Sequence, residues 1–112
     1  MSRRSDTFAW TAQRASALVL AICVAVHLAT IVYAVRGGLT AAEIFARTRG
    51  NAGWFFFYAV FVLAVAVHAP IGLRPVLTEW LGWRGRSRDA FAVLFAAVLL
   101  AMGMRAVLNV FL

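Results

Sequence analysis

Three long apolar runs separated by short polar, arginine-bearing segments dominate the chain: Ala15 to Val35, Gly53 to Leu73, and Ala90 to about Leu112. Each reaches the ~20 residues that an α-helix needs to cross the hydrocarbon core of a bilayer. Arg105 interrupts the third run, but a long side chain near a helix end can carry its charge to the interface. Between the first two runs lies RGGLTAAEIFARTRGN. There Gly37 and Gly38 end a helix, and Thr40 with Glu43 forms the capping-box pattern that starts another. The second connector, LTEWLGWRGRSRD, is polar, and its Asp89 is the expected N-cap of the last helix. Pro70 removes a backbone donor and is expected to bend the second helix. The pattern predicts an all-α integral membrane fold of three transmembrane helices, with a short interfacial helix between the first two. No repeat or linker divides residues 1–112, which read as a single transmembrane domain.

Composition strengthens this reading. A 112-residue chain that is 64% hydrophobic, with mean hydropathy +0.88, has more apolar surface than a soluble fold of that size can bury. All 11 basic residues are arginines, and the net charge is +7. In a soluble protein that excess would point to nucleic acid. Here the arginines sit between apolar runs, where they contact headgroups and set topology, so nucleic acid is not an expected partner. Arg3, Arg4, Arg14, Arg74, Arg84, Arg86 and Arg88 fall on one side, and Arg36, Arg47, Arg49 and Arg105 on the other. The positive-inside rule makes the first side cytoplasmic and places the C-terminus outside. The expected location is the bacterial inner (cytoplasmic) membrane, crossed several times. Arg3 and Arg4 before an apolar stretch imitate a signal peptide, but 21 apolar residues are nearer to a spanning helix. The single cysteine, Cys23, allows no internal disulfide and reads as a small membrane-buried residue.

The candidate chemistry lies in the only two histidines, His27 and His68, both inside predicted spans. An ionisable group in hydrocarbon is costly, which marks each as a functional candidate; an interhelical hydrogen bond is the alternative. Ser16, Leu20, Cys23, His27, Thr30 and Ala34 recur three or four apart, a mostly small or polar stripe that faces other helices. Ala64 and Gly72 flank His68 by four residues on its own face, leaving room for a close helix or a flat ligand. If the two helices start level at the cytoplasmic face, the histidines differ in depth by roughly 10 Å, too far to share one ion. Each could instead be one of two axial ligands of a separate haem, with the second imidazole from a partner subunit. Zinc is not expected, since Cys23 one turn from His27, with no carboxylate and no HxxxH spacing, falls short of a zinc ligand set. The aromatic run WFFFY at 54–58 reads as an interfacial belt.

These residues resemble the membrane anchor (cytochrome b) subunits of succinate dehydrogenase and fumarate reductase, respiratory complex II. The likeness covers nearly the whole chain. QRASALVLAICVAVH is similar to the family's first-helix pattern, an Arg followed two residues later by Ser or Thr, with a haem-ligating His thirteen residues after the Arg in dihaem members. HAPIGLRPVLTEW is similar to the second-helix pattern: a ligating His, Gly four later, often Arg six later, then an acidic residue and an aromatic. GGLTAAEIF resembles the connector of small three-helix anchors. Where some relatives carry Ser four residues before the Arg this chain has Trp10, and Glu79-Trp80 stands in place of an Asp-Tyr.

The resemblance implies a haem b-binding anchor that holds the flavoprotein and iron-sulfur subunits at the membrane and helps form a quinone site. It pairs with a second membrane anchor subunit or a second copy of itself. His68 would ligate the haem nearer the catalytic subunits and His27 a second haem, with Arg74 on a propionate or simply marking the membrane boundary. Arg105 poses the same choice on the other side. Arg14 and Trp80 would donate to the quinone or to a propionate, Ser16 assist, and Glu79 tune or relay a proton; interfacial anchoring is the alternative for Arg14 and Trp80. Ubiquinone and menaquinone, and succinate oxidation and fumarate reduction, all remain open. The competing reading is a small noncatalytic membrane protein, a transporter or assembly subunit, whose histidines serve helix packing or proton relay.

Overall fold

The computed structural model describes residues 3–112 and is wholly helical among them. Its elements are α1 (Arg3–Arg36), α2 (Ala41–Thr48), α3 (Ala52–Leu81) and α4 (Arg86–Phe111). α1, α3 and α4 are long and apolar enough to cross a membrane. They run up, down and up in a body 49 × 25 × 22 Å. α3 is the middle helix and packs along both α1 and α4, which scarcely meet each other. The three helices therefore leave a groove between α1 and α4, floored by α3.

Small side chains set the packing. The buried residues are Ser16 and Cys23 on α1, Ala64, Pro70 and Leu77 on α3, and Ala92 and Val107 on α4. No large side chain is fully buried among the described residues. Only 6% of the most apolar window of α1 is buried inside the fold. In water such a fold would have too little core to hold together, whereas in lipid close approach through small residues suffices. Gly103 makes the tightest crossing: a Cβ placed on it would lie 2.6 Å from Val62 Cγ1.

α2 begins as its sequence requires. The Thr40 hydroxyl accepts from the Glu43 backbone N–H at 3.2 Å, and the Glu43 carboxylate accepts from the Thr40 N–H at 3.5 Å. Thr40→Ala is expected to weaken α2 by about 1 kcal/mol. Faster amide exchange confined to residues 41–48 checks this; exchange unchanged there would show that the cap is dispensable. Contacts at both sides tie α2 across the end of the groove. Arg47 Nη1 donates to the Tyr33 hydroxyl of α1 at 3.2 Å, which raises the Arg47 pKa above its ordinary value. The Thr48 hydroxyl and the Gly50 N–H donate to the Val110 and Phe111 carbonyls at 3.2 and 2.8 Å. Those are among the last carbonyls of α4, which have no partner within their own helix.

Three boundaries differ from the sequence expectation, the first being that α1 already starts at Arg3, ahead of the expected Ala15. α3 runs unbroken through Pro70 and Pro75 to Leu81, so Glu79 and Trp80 lie in its last turn instead of beyond it. Gly82, at φ 67°, ends it in the left-handed conformation, its N–H donating to Thr78 O at 3.0 Å. α4 starts at Arg86 after Gly85, not at Ala90 after an Asp89 cap. The Asp89 N–H already donates to Gly85 O at 3.2 Å. Its carboxylate is taken by two guanidiniums, Arg88 at 2.8 Å and Arg74 at 3.3 Å.

Candidate functional site

The stripe on α1 is the face it turns to α3. Its contacts fix an antiparallel register: Gln13 meets Gly72, Ser16 meets His68, and His27 meets Tyr58. The two histidines therefore lie ten to eleven helical residues apart in depth, about 15–16 Å. The difference from the expected ~10 Å has a simple cause. Level starts would set Ala15 beside Leu73, whereas α1 is slid about one turn along α3 to bring Gln13 against Gly72. Of the two occupants expected beside Gly72, the close helix is present: a Cβ there would lie 3.1 Å from Gln13 Nε2.

Both imidazoles meet a protein hydroxyl at the same nitrogen. Ser16 Oγ lies 3.5 Å from His68 Nδ1, and Tyr58 OH lies 3.4 Å from His27 Nδ1. Ser16 is 7% exposed, and its hydroxyl donates to Gln13 O at 3.1 Å. A residue expected to assist a quinone is thus enclosed between α1 and α3 and turned to a histidine. His27 also packs edge-on to Tyr58 and Phe61, with ring centroids 5.8 and 5.7 Å away. It borders two apolar cavities of about 580 Å³ each. One runs along the groove floor to Val65 and Leu99, and the other opens under α2 towards Arg47 and Asn51. Such volumes suit a cofactor or a drug-sized ligand.

The opposite end of the bundle is rich in arginine. A smaller cavity there, about 320 Å³, is lined by Ala9, Arg74, Thr78, Glu79 and Arg88 among others. Arg88 Nη1 donates to the Thr78 hydroxyl at 2.8 Å, and with Arg74 and Asp89 this joins α3 to α4. Of the four residues expected at a quinone, only Glu79 borders this cavity. Trp80 is 82% exposed. Arg14 is exposed, with its guanidinium 5.2 Å above the Trp10 ring. It lies eleven residues into α1 instead of at its start, level with Pro70 and Ile71 by the register above. Arg14, Glu79 and Trp80 share an end of the bundle but are not gathered by this chain alone. Arg105 is exposed on α4, six residues before its end at Phe111.

A family model described as succinate dehydrogenase/fumarate reductase transmembrane subunit matches residues 1–104. The chain belongs to that family. This transmembrane subunit is accordingly a multi-pass membrane protein and a membrane anchor, associated with other subunits of its complex and with the lipid bilayer. The match decides against the noncatalytic transporter or assembly reading of the sequence. No curated protein and no solved structure matches the subunit.

Sequence reasoning missed Tyr58, Gln13, Thr78 and Arg88. In the sequence Tyr58 reads as part of the aromatic belt. The one signal for it is that, alone in WFFFY, it carries a hydroxyl. The others become visible only when the helix register is known.

Proposed function

We propose that this anchor binds haem b and helps form the quinone site of a succinate:quinone oxidoreductase. The observation that carries this reading is the pair of imidazoles inside apolar helices, each with Nδ1 against a protein hydroxyl. A neutral imidazole whose second nitrogen is held by a protein oxygen is the usual donor to a metal, so the residues fit an axial role at haem iron. His68 would hold the haem nearer the arginine-rich end. His27 would hold a second, each completed by an imidazole from a second anchor subunit or a second copy of the chain. When bound, haem b supplies a one-electron carrier beside the quinone.

The remaining roles belong to side chains near the arginine-rich end, read as cytoplasmic by the positive-inside rule. Arg74 and Arg88 share the Asp89 carboxylate, and a guanidinium at this end would hold a haem propionate by charge-assisted hydrogen bonds. Arg14 and Trp80, exposed on this chain, present N–H donors to a quinone held against the iron-sulfur subunit. Glu79, on the cavity wall, is placed to pass protons. Ubiquinone or menaquinone fits this chemistry, and the flavoprotein and the quinone potential decide between succinate oxidation and fumarate reduction.

Purification from native membranes tests the reading. Flavoprotein, iron-sulfur protein and a b-type spectrum are expected with the chain; a complex with no b-type haem would refute it. For the quinone, a charge-assisted hydrogen bond contributes about 1.5–3 kcal/mol. Arg14→Ala is therefore expected to raise the quinone KM by about tenfold or more. An unchanged KM and rate would remove Arg14 from the site.

A further inference from the structure

We propose that Ser16 is a positioning residue that fixes the tautomer of His68, presenting Nε2 as the nitrogen with the free lone pair. The inference rests on the reading of His68 as a haem ligand and extends it to an atom outside the ligand itself. An imidazole ligates through an unprotonated nitrogen, and which nitrogen carries the proton is set by what the other one meets. A serine hydroxyl has a single proton and two acceptor lone pairs. In Ser16 the proton is committed: Oγ donates to Gln13 O at 3.1 Å. Towards His68 Nδ1, 3.5 Å away, the oxygen can then act only as an acceptor. The proton of the neutral ring is held on Nδ1, and Nε2 is left basic.

Three further features support the assignment. Ser16 is the only buried polar or charged side chain among the described residues, so no solvent competes for its hydroxyl. Its i−3 bond to Gln13 O needs nothing beyond the α1 backbone, so the polarity is set before α3 docks. One turn further along α3, Gln13 rests on Gly72, which holds the two helices at the separation that brings oxygen and nitrogen together. The other histidine lacks this device. Tyr58 OH, 3.4 Å from His27 Nδ1, makes no second hydrogen bond among the described residues. Its proton is free to go to Nδ1, and the His27 tautomer is not fixed in the same way.

The experiment uses the assembled complex with Ser16→Ala, Ser16→Thr and Ser16→Cys, each compared with His68→Ala. Subunit co-purification establishes assembly, and the readouts are the rate of haem loss, the low-spin EPR g values and the haem midpoint potential. Ser16→Ala is expected to speed haem loss by about 10- to 100-fold, the range for removing an outer partner of a ligating histidine. It should also shift the g values and move the midpoint upward, because the ligand loses basicity. Ser16→Cys, a poorer acceptor of similar size, should follow alanine, and Ser16→Thr should restore the parent values. A haem that depends on His68 but is indifferent to Ser16→Ala and Ser16→Cys in all three readouts would overturn the positioning role alone. A haem retained in His68→Ala would overturn the ligand assignment and the positioning role with it.

Discussion

A His68→Ala complex is expected to lose the b-type haem signal of the arginine-rich end while all three spanning helices remain inserted. The imidazole sits in the α1–α3 contact, where its loss opens a small cavity but removes no backbone hydrogen bond. Insertion depends on the apolar runs, which the substitution leaves intact. The haem, by contrast, would lose the imidazole proposed to hold it. Reduced-minus-oxidised spectra of the purified complex, scaled to flavin content, give the measurement. Full haem content in the variant would exclude His68 as a ligand. His27→Ala then counts haems: loss of a second component with its own potential indicates two, and an unchanged spectrum indicates one.

Gly103→Ala is expected to be the most damaging single-methyl addition on the spanning helices. The new Cβ would stand 2.6 and 2.9 Å from the two methyls of Val62 and 3.3 Å from its Cβ. Valine in a helix has essentially one rotamer, so it cannot swing aside, and α3 and α4 must part. Overpacking of this kind costs about 1–3 kcal/mol. Gly72→Ala is the internal comparison: its Cβ meets only the end of the Gln13 side chain, at 3.1 Å, which can rotate away. Thermal or detergent titration of the complex should therefore rank Gly103→Ala well below Gly72→Ala and the parent. Equal stability of the two glycine variants would show that the bundle opens freely at Val62.

The same two glycines illustrate what was legible beforehand. Apolar runs of spanning length announce three helices, and Thr40 with Glu43 announces α2, because these are local signals read within a turn or two. Partnership across helices is not local. Nothing in HAPIGLRPVLTEW says that Gly72 receives Gln13, or that α1 slides one turn along α3 and separates the histidines by a further ~5 Å. Helix ends depart from the sequence expectation where side chains take other partners. Asp89 looks like a cap but serves two arginines, and α3 passes two prolines because the helix can forgo single backbone bonds when its neighbours hold it. The histidines were legible because ionisable groups in hydrocarbon are conspicuous. Their hydroxyl partners were not, because a serine or tyrosine in a spanning helix is commonplace.

The clasp formed by α2 also shapes the cavities below it. α1 and α4 scarcely touch, so the gap between them is spaced by α3 beneath and by α2 across one end, where Arg47 grips Tyr33 and Thr48 and Gly50 grip the tail of α4. That roof contributes Ile44 and Thr48 to the walls of both cavities beside His27, so whatever loosens α2 reshapes the two together.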